Sequence, residues 1–144
     1  MPTSLVVEPF KAEHLNEIDL QPAQRYSRLW LDWREARAFE GRSAYTVRTR
    51  ERILLCGGVV QNLCGGLVWS FIDGNAGRHM VALTRIVKRF LDICEYDRIE
   101  ALVDAEFEAG HRWMKQLGFE LETPKPMRKA RPDGGSSYLY ARVR

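Results

Sequence analysis

The chain has 144 residues, of which 45% are hydrophobic and 28% are charged, and its formal net charge at pH 7 is +3. This is the composition of an ordinary globular protein. A chain of this length can bury roughly 70% of its unfolded surface, so it requires neither a disulfide framework nor a structural metal. The slight excess of positive charge permits an acidic partner without requiring one.

The cysteines and the N-terminus bear on the compartment. Cys56, Cys64 and Cys94 are odd in number and show no CxxC spacing, which predicts free thiols in a reducing compartment. The start MPTSLVVEPFK lacks the basic region and long apolar core of a signal peptide. No apolar run approaches the roughly 18 residues that a membrane-spanning helix needs. We therefore expect a soluble protein of the cell interior, or of a particle assembled there.

The first half of the chain predicts a strand, two helices and an antiparallel meander. SLVVEPF is typical of a strand closed by Pro9, and KAEHLNEIDL of a short polar helix. A longer helix is expected from Pro22, because apolar and aromatic residues then recur every three or four positions. After Gly41 the chain becomes rich in β-branched and aromatic residues with glycine pairs between them. The strands expected there cover residues 44–49, 53–61 and 67–72.

The second half predicts alternating helices and strands. RHMVALTRIVKRFLDICEY has a broad apolar face opposite a charged one, as a helix does. A short buried strand is expected at 99–103, and EAGHRWMKQLG predicts a helix ending at Gly118. FELET and YLYARVR indicate two strands on either side of a proline-rich loop, the last of them at a sheet edge. The order βααβββαβαββ predicts one α/β (α+β) domain over residues 1–144, with a mixed, mostly antiparallel sheet of about seven strands and four helices on both faces.

The stretch DRIEALVDAEFEAGHRWMKQLGFELE, taken with this order, resembles the GNAT family of N-acetyltransferases. The likeness in element order covers nearly the whole chain, whereas the likeness in residues covers this stretch alone. A narrower resemblance is to the small internal virion protein family of podophages, which are described as acetyltransferase-like. It depends on the short chain, on GG near the end of the third strand, on a strand that runs into a basic, apolar helix, and on Asp133-Gly134 near the tip of the last hairpin.

The GNAT resemblance implies a loop between the fourth strand and the third helix that binds the pyrophosphate of acetyl-CoA. Glycines let such a loop turn its N–H groups toward phosphate, and the helix N-terminus adds a favourable dipole. The corresponding stretch DGNAGRHM lacks the family's spacing, and Asp73 brings a negative charge to it. An enzyme would aim this loop into an opening between the fourth and fifth strands. The residues that would bind acetyl-CoA, if it binds, are Gly74, Asn75, Ala76, Gly77, Arg78 and His79.

The catalytic positions that the family implies are altered here. Its proton-donating tyrosine, four residues before the capping glycine, corresponds to Met114, whose thioether has no proton to donate. Its usual asparagine corresponds to Phe107, and the fourth strand holds Trp69 and Ser70 where many members have a glutamate base. The side chains that could serve instead are Asp104, His111 and Tyr138, with Tyr140 as an alternative to Tyr138.

Residues on the predicted fourth helix also have purely structural interpretations. His111 is interpreted first as an ordinary histidine on the polar face of its helix. The fold alone does not catalyse without correctly placed reactive groups, and here the family's phosphate loop, acid and base are missing or displaced. Trp113, Met114 and Leu117 are therefore interpreted as core residues under the sheet and not as the lining of an active site.

Two stretches could contact partners. PKPMRKARPD carries Lys125, Arg128, Lys129 and Arg131, which suit an acidic protein surface or nucleic acid, although a solvated loop is the plainer interpretation. No aromatic residue stands among these charges, so base stacking is not expected. Trp30 and Trp33 lie three apart on the predicted second helix and could pack in the core or dock a partner.

Three functions remain open from the sequence. The favoured one is a phage virion or virion-assembly protein with a degenerate catalytic site and no cofactor, which contacts portal, tail or internal core proteins. It would reside in the host cytoplasm during assembly, or in the virion. The second is an acetyl-CoA-dependent N-acetyltransferase with an atypical pyrophosphate loop. The third is a nucleic-acid-associated protein that uses the basic loop. No metal site and no membrane segment are predicted, and an oligomer is open.

Overall fold

The computed structural model describes residues 4–29, 33–41 and 43–144, without the side chains of residues 29, 33 and 34. The chain divides into two compact units. The first comprises Met1–Val60 with Trp69–Leu83, and the second comprises Gln61–Val68 with Thr84–Arg144. The prediction of a single domain over residues 1–144 stays a prediction. No helix in the described ranges is both long and apolar enough to cross a membrane.

The described elements follow the predicted order closely. The strands are β1 (Val6–Pro9), β2 (Ala44–Arg48), β3 (Ile53–Asn62), β4 (Gly65–Ile72), β5 (Arg98–Asp104), β6 (Glu120–Leu121) and β7 (Ser137–Val143). The α-helices are α1 (His14–Glu17), α2 (Trp33–Ala36), α3 (Met80–Ile93) and α4 (Glu108–Gln116). Shorter 3-10 helices cover Pro22–Leu29, Arg37–Phe39 and Gly77–His79.

The seven strands form a mixed sheet in the order β1-β2-β3-β4-β5-β7-β6. β4 pairs with β5 in parallel, and the pairs β1–β2, β2–β3, β5–β7 and β6–β7 are antiparallel. The predicted mixed, mostly antiparallel sheet is therefore confirmed. The prediction that the last strand lies at an edge is wrong, because β7 pairs with β5 over its whole length and with β6 on its other side.

The first unit has an apolar core that includes its first helix. α1 is a single turn, and it is not the polar helix that was predicted, since His14 and Leu15 are buried. His14 Nδ1 lies 2.8 Å from Thr46 Oγ1 and also accepts the backbone N–H of Lys11. The buried apolar residues of this core are Phe10, Ala12, Leu15, Ile18, Leu20, Ala36, Ala44, Ile53 and Cys56.

The long α-helix predicted from Pro22 is wrong for its first eight residues, which form a 3-10 helix. Local side chains explain the difference. Ser27 Oγ donates a hydrogen bond to the carbonyl oxygen of Gln24 at 2.6 Å, which competes with the α-helical hydrogen bond to that carbonyl. The Gln24 amide in turn bonds the backbone of β4, donating to Ser70 O and accepting from Ile72 N, both at 2.8 Å.

In the second unit, α4 is packed through the side chains that the sequence assigned to the core. Trp113, Met114 and Leu117 are all buried, which confirms that interpretation. Trp113 Nε1 donates a hydrogen bond to Thr84 Oγ1 at 2.9 Å. The helix ends as predicted at Gly118, whose φ of 89° is the left-handed conformation that glycine adopts without strain.

All three cysteines are free thiols, as the sequence predicted. Cys56 and Cys94 are buried, whereas Cys64 is exposed in the turn between β3 and β4. Burial raises the pKa of the Cys56 thiol to about 12, so it stays protonated at physiological pH and acts as a small core residue.

Candidate active site

The loop predicted to bind acetyl-CoA begins at Asp73, directly after β4 in the first unit. The Asp73 carboxylate is almost fully buried and accepts a hydrogen bond from Arg52 Nη2 at 2.9 Å. Its second oxygen accepts the backbone N–H of Asn75 at 2.9 Å. Because Arg52 compensates its charge and two donors satisfy its oxygens, Asp73 serves as the anchor of the loop.

Part of the loop's backbone is already committed to internal hydrogen bonds. Besides the N–H of Asn75, that of Ala76 donates to Asp73 O at 3.2 Å and that of His79 donates to Ala76 O at 2.8 Å. The N–H groups of Gly77 and Arg78 make no hydrogen bond within the described part of the chain. These two groups open the helical segment that continues into α3, as expected where a helix begins.

The side chains around these N–H groups leave room and supply positive charge. A Cβ atom added at Gly77 would meet nothing within 4 Å. Arg78 is exposed, and its Nε donates to Nε2 of the neighbouring His79 at 3.4 Å. The loop thus offers two backbone donors and a guanidinium to an anion, which fits a phosphate group. It offers fewer free N–H groups than the five from Asn75 to His79 that the sequence suggested.

His111, in the second unit, connects three segments of the chain. Its Nε2 lies 3.0 Å from the carbonyl oxygen of Ala105, which can only accept, so Nε2 carries the proton. Its Nδ1 lies 2.8 Å from Tyr140 Oη and, in the neutral ring, accepts the phenol proton. Both ring nitrogens thus bind neighbouring segments of the second unit, and a catalytic role of His111 stays a prediction.

Two tyrosines of β7 contact His111 in different ways. Tyr140 is buried, and desolvation, followed by the charges of Glu108 and Tyr138, raises the pKa of its phenol. Tyr138 is half-buried and contacts the His111 ring edge-to-face, with ring centroids 5.5 Å apart. Its hydroxyl makes no hydrogen bond to the described residues, so this phenol remains available to a ligand.

Asp104, the third candidate catalytic residue, belongs to an ion-pair cluster centred on Arg131. Arg131 Nη1 lies 3.4 Å from Asp104 Oδ2 and 2.8 Å from Glu106 Oε1. The Arg131 guanidinium also donates hydrogen bonds to both carboxylate oxygens of Asp133. The hydrogen bonds from Arg131 lower the pKa of Asp133 to about 2. Asp104 is thus paired with a cation and is not a free base.

Comparison with known proteins identifies the fold. No family model and no curated protein matches the sequence. Among solved structures, the acetyltransferase (GNAT family) from Bacillus anthracis superimposes with a TM-score of 0.68 at 15% identity, covering 99% of this chain and 97% of that one. The ribosomal-protein-S18-alanine N-acetyltransferase from Escherichia coli gives 0.71 at 14% identity, covering 97% and 94%. The chain has the GNAT fold. A "probable acetyltransferase" from Staphylococcus epidermidis gives 0.76 at 7% identity, covering 97% and 99%.

Two catalytic positions of the GNAT family are filled by packing side chains here. Met114, at the tyrosine position, is 7% exposed. Trp69, on β4 in the first unit, packs against Phe10, Phe39 and Phe71 with ring centroids 4.9 to 6.0 Å apart. Its indole N–H is buried and finds no hydrogen-bond partner in the described ranges. Aromatic packing thus occupies the strand where the family often carries its base.

The parallel pairing of β4 with β5 joins Gly66 to Ile99 and Leu67 to Glu100, all within the second unit. The opening expected between these strands stays a prediction, as does the aim of the loop into it.

The structure describes only some of the residues that were predicted to contact partners. Trp30 lies outside the described residues, and so does the side chain of Trp33, whose backbone begins α2. Lys125, Arg128 and Lys129 are exposed, whereas Arg131 is paired with three carboxylates. The partner role of all of them stays a prediction.

Proposed function

We propose that the protein is an acetyl-CoA-dependent N-acetyltransferase with an atypical pyrophosphate loop. The observation that carries this proposal is the pair of unpartnered N–H groups at Gly77 and Arg78, which open the helical segment before α3 and follow β4 directly. A helix start of this kind stabilises a phosphate through its N–H groups and its dipole. Support also comes from the three structural neighbours described above. Each is named as an acetyltransferase or probable acetyltransferase, and each superimposes on nearly the full length of this chain.

The residues of the loop would divide the binding between them. Gly77 and Arg78 would donate their N–H groups to a pyrophosphate oxygen, and the Arg78 guanidinium would add a charge-assisted hydrogen bond. The ion pair between Arg52 and Asp73 would keep the loop in the conformation that leaves these groups free. His79 is next in the chain, and because its Nε2 accepts from Arg78, its Nδ1 carries a proton that it can donate.

Acetyl-CoA, when bound, supplies the acetyl group as a thioester. Transfer to an amine forms a nitrogen–carbon bond and breaks the carbon–sulfur bond, after which the sulfur needs a proton and the nitrogen must lose one. Of the three candidate side chains, Tyr138 alone has an uncommitted acidic group, since His111 is bonded at both nitrogens and Asp104 is paired with Arg131. We therefore assign the proton donation to Tyr138, which would be reprotonated from water.

The virion role favoured by the sequence finds no support among the structural neighbours, which fit the acetyltransferase better. The loss of the family's tyrosine and glutamate, which favoured that role, is accommodated if Tyr138 replaces the first and solvent takes the amine proton. The virion role, its portal, tail or core partners and its localisation stay predictions.

Titration calorimetry with acetyl-CoA tests the proposal. We expect binding in the micromolar range by the wild type, and at least a tenfold rise in Kd for Arg78→Glu, because this change places a carboxylate beside the phosphate. A tenfold rise corresponds to about 1.4 kcal/mol.

Arg85→Glu is the matched control, since Arg85 is an exposed arginine on α3 and the change in charge is the same. Its Kd should remain within about twofold of the wild type, because a charge beyond the first helical turn interacts weakly with a ligand at the helix start. Absence of wild-type binding at millimolar acetyl-CoA would contradict the proposal. An equal loss in both variants would show that only the net charge matters.

A further inference from the structure

The loop between β6 and β7, residues 122–136, presents three unbalanced cations at the surface of the second unit. Lys125, Arg128 and Lys129 are all exposed, and none of them forms an ion pair with a carboxylate in the described part of the chain. The fourth cation of the loop, Arg131, is already balanced by carboxylates. The free charge of this loop is therefore concentrated within five consecutive residues, 125–129.

Arg131 fixes the loop from one side. Its guanidinium binds Asp104 at the end of β5, Glu106 just after it, and Asp133 within the loop. Gly135 leaves the space for this side chain, since a Cβ atom there would lie 2.5 Å from Arg131 Cζ. The backbone closes the same turn, with Arg131 N donating to Gly135 O at 3.1 Å and Gly134 N donating to Arg131 O at 3.0 Å.

Backbone pairing fixes the loop from the other side. Met127 N donates to Ser137 O at 2.7 Å, and Ser137 N donates to Met127 O at 3.1 Å. Lys129 has a φ of 53°, a left-handed conformation that is unfavourable for a non-glycine residue and persists only where the surroundings impose it. The backbone segment that carries the three cations is thus fixed by backbone pairing and by the contacts of Arg131.

We propose that residues 125–129 form a preorganised docking surface for an acidic segment of a partner protein, one that carries two or three neighbouring carboxylates. Charge complementarity gives the sign of the partner. Preorganisation lowers the entropy lost on binding, so few contacts suffice for a specific interaction.

The loop fits a protein segment better than nucleic acid. It contains no aromatic side chain on which a base could stack. Nucleic acid carries a continuous row of phosphates and gains affinity with each one neutralised, and three cations within five residues neutralise only a few of them. An acidic peptide, by contrast, needs to place only a few charges against residues 125–129.

Fluorescence anisotropy of the full chain with a labelled hexaglutamate peptide tests this proposal, in the absence of acetyl-CoA so that it stands or falls apart from the acetyltransferase activity. We expect measurable binding at low salt, and a loss of at least tenfold when Lys125, Arg128 and Lys129 are all changed to Ser. The matched control changes Lys88, Arg89 and Lys115, three exposed cations of α3 and α4, to Ser. That variant should bind within about twofold of the wild type.

Gly135→Ala separates shape from charge, because it retains every charge while its Cβ displaces Arg131. We expect it to weaken peptide binding several-fold, with the fold checked by circular dichroism. The proposal is overturned if the wild type does not bind the peptide, if both triple variants lose affinity equally, or if Gly135→Ala binds like the wild type. Tighter binding of an oligothymidylate through the same three residues would also overturn it, in favour of a nucleic-acid surface.

Discussion

Tyr138→Phe is expected to lower kcat for acetyl transfer by about 100-fold, the lower end of what a positioned general acid contributes. The Tyr138 hydroxyl makes no hydrogen bond to the described residues, and its ring keeps the contact with His111 in the phenylalanine variant. Stability should therefore change little. Release of the CoA thiol, measured with the best of a panel of primary amines, gives kcat, and thermal unfolding gives the stability.

Tyr140→Phe should show the opposite result. The Tyr140 hydroxyl is the partner of His111 Nδ1, and its loss leaves a half-buried acceptor unsatisfied, at a cost of about 1 kcal/mol in the free energy of unfolding. Its kcat should remain near that of the wild type. If Tyr140→Phe lost activity while Tyr138→Phe retained it, the assignment of the proton donor to Tyr138 would be wrong.

Gly58→Ala is expected to destabilise the protein by about 2 to 3 kcal/mol, the upper part of the range for an overpacked core. Gly58 lies opposite Ala44 where β3 pairs with β2. A Cβ atom there would lie 2.5 Å from Ser43 O and 2.8 Å from Ala44 Cα, and these backbone atoms cannot move without disturbing the strand pair. Urea unfolding followed by circular dichroism measures the loss.

Gly77→Ala provides the comparison, since it adds the same methyl group where nothing lies within 4 Å. It should change the free energy of unfolding by less than about 0.5 kcal/mol. Equal destabilisation by the two variants would mean that the close approach of β2 to β3 at Gly58 is not what limits the size of this residue.

Much of the fold could be predicted from the sequence because its signals are local. The apolar period of α3, the glycine after α4 and the β-branched runs of β2 to β4 each fix an element through nearby residues. The 3-10 helix at Pro22–Leu29 could not be predicted, because it depends on Gln24 reaching the backbone of β4 far along the chain. The interior place of β7 likewise depends on pairing between distant strands.

The sequence could predict which residues belong to the candidate site, but not which of their side chains are already paired with other residues. The sequence could locate the loop after β4 and the residues Asp104, His111 and Tyr138. It could not show that Arg52 neutralises Asp73, that Arg131 occupies Asp104, or that Tyr140 satisfies His111. Each of these pairs joins residues about twenty or more positions apart, and each decides whether a polar side chain remains available for chemistry.

The most direct test of the central claim is a titration of the nitrogen-15-labelled protein with CoA, followed through its backbone amide resonances. We predict that the Gly77 and Arg78 amides shift most, because their N–H groups are unpartnered. The Asn75 and Ala76 amides should shift less, because they already bond to Asp73. If millimolar CoA left the Gly77 and Arg78 amides unmoved, the loop would not bind the cofactor, and the GNAT fold of this chain would serve another purpose.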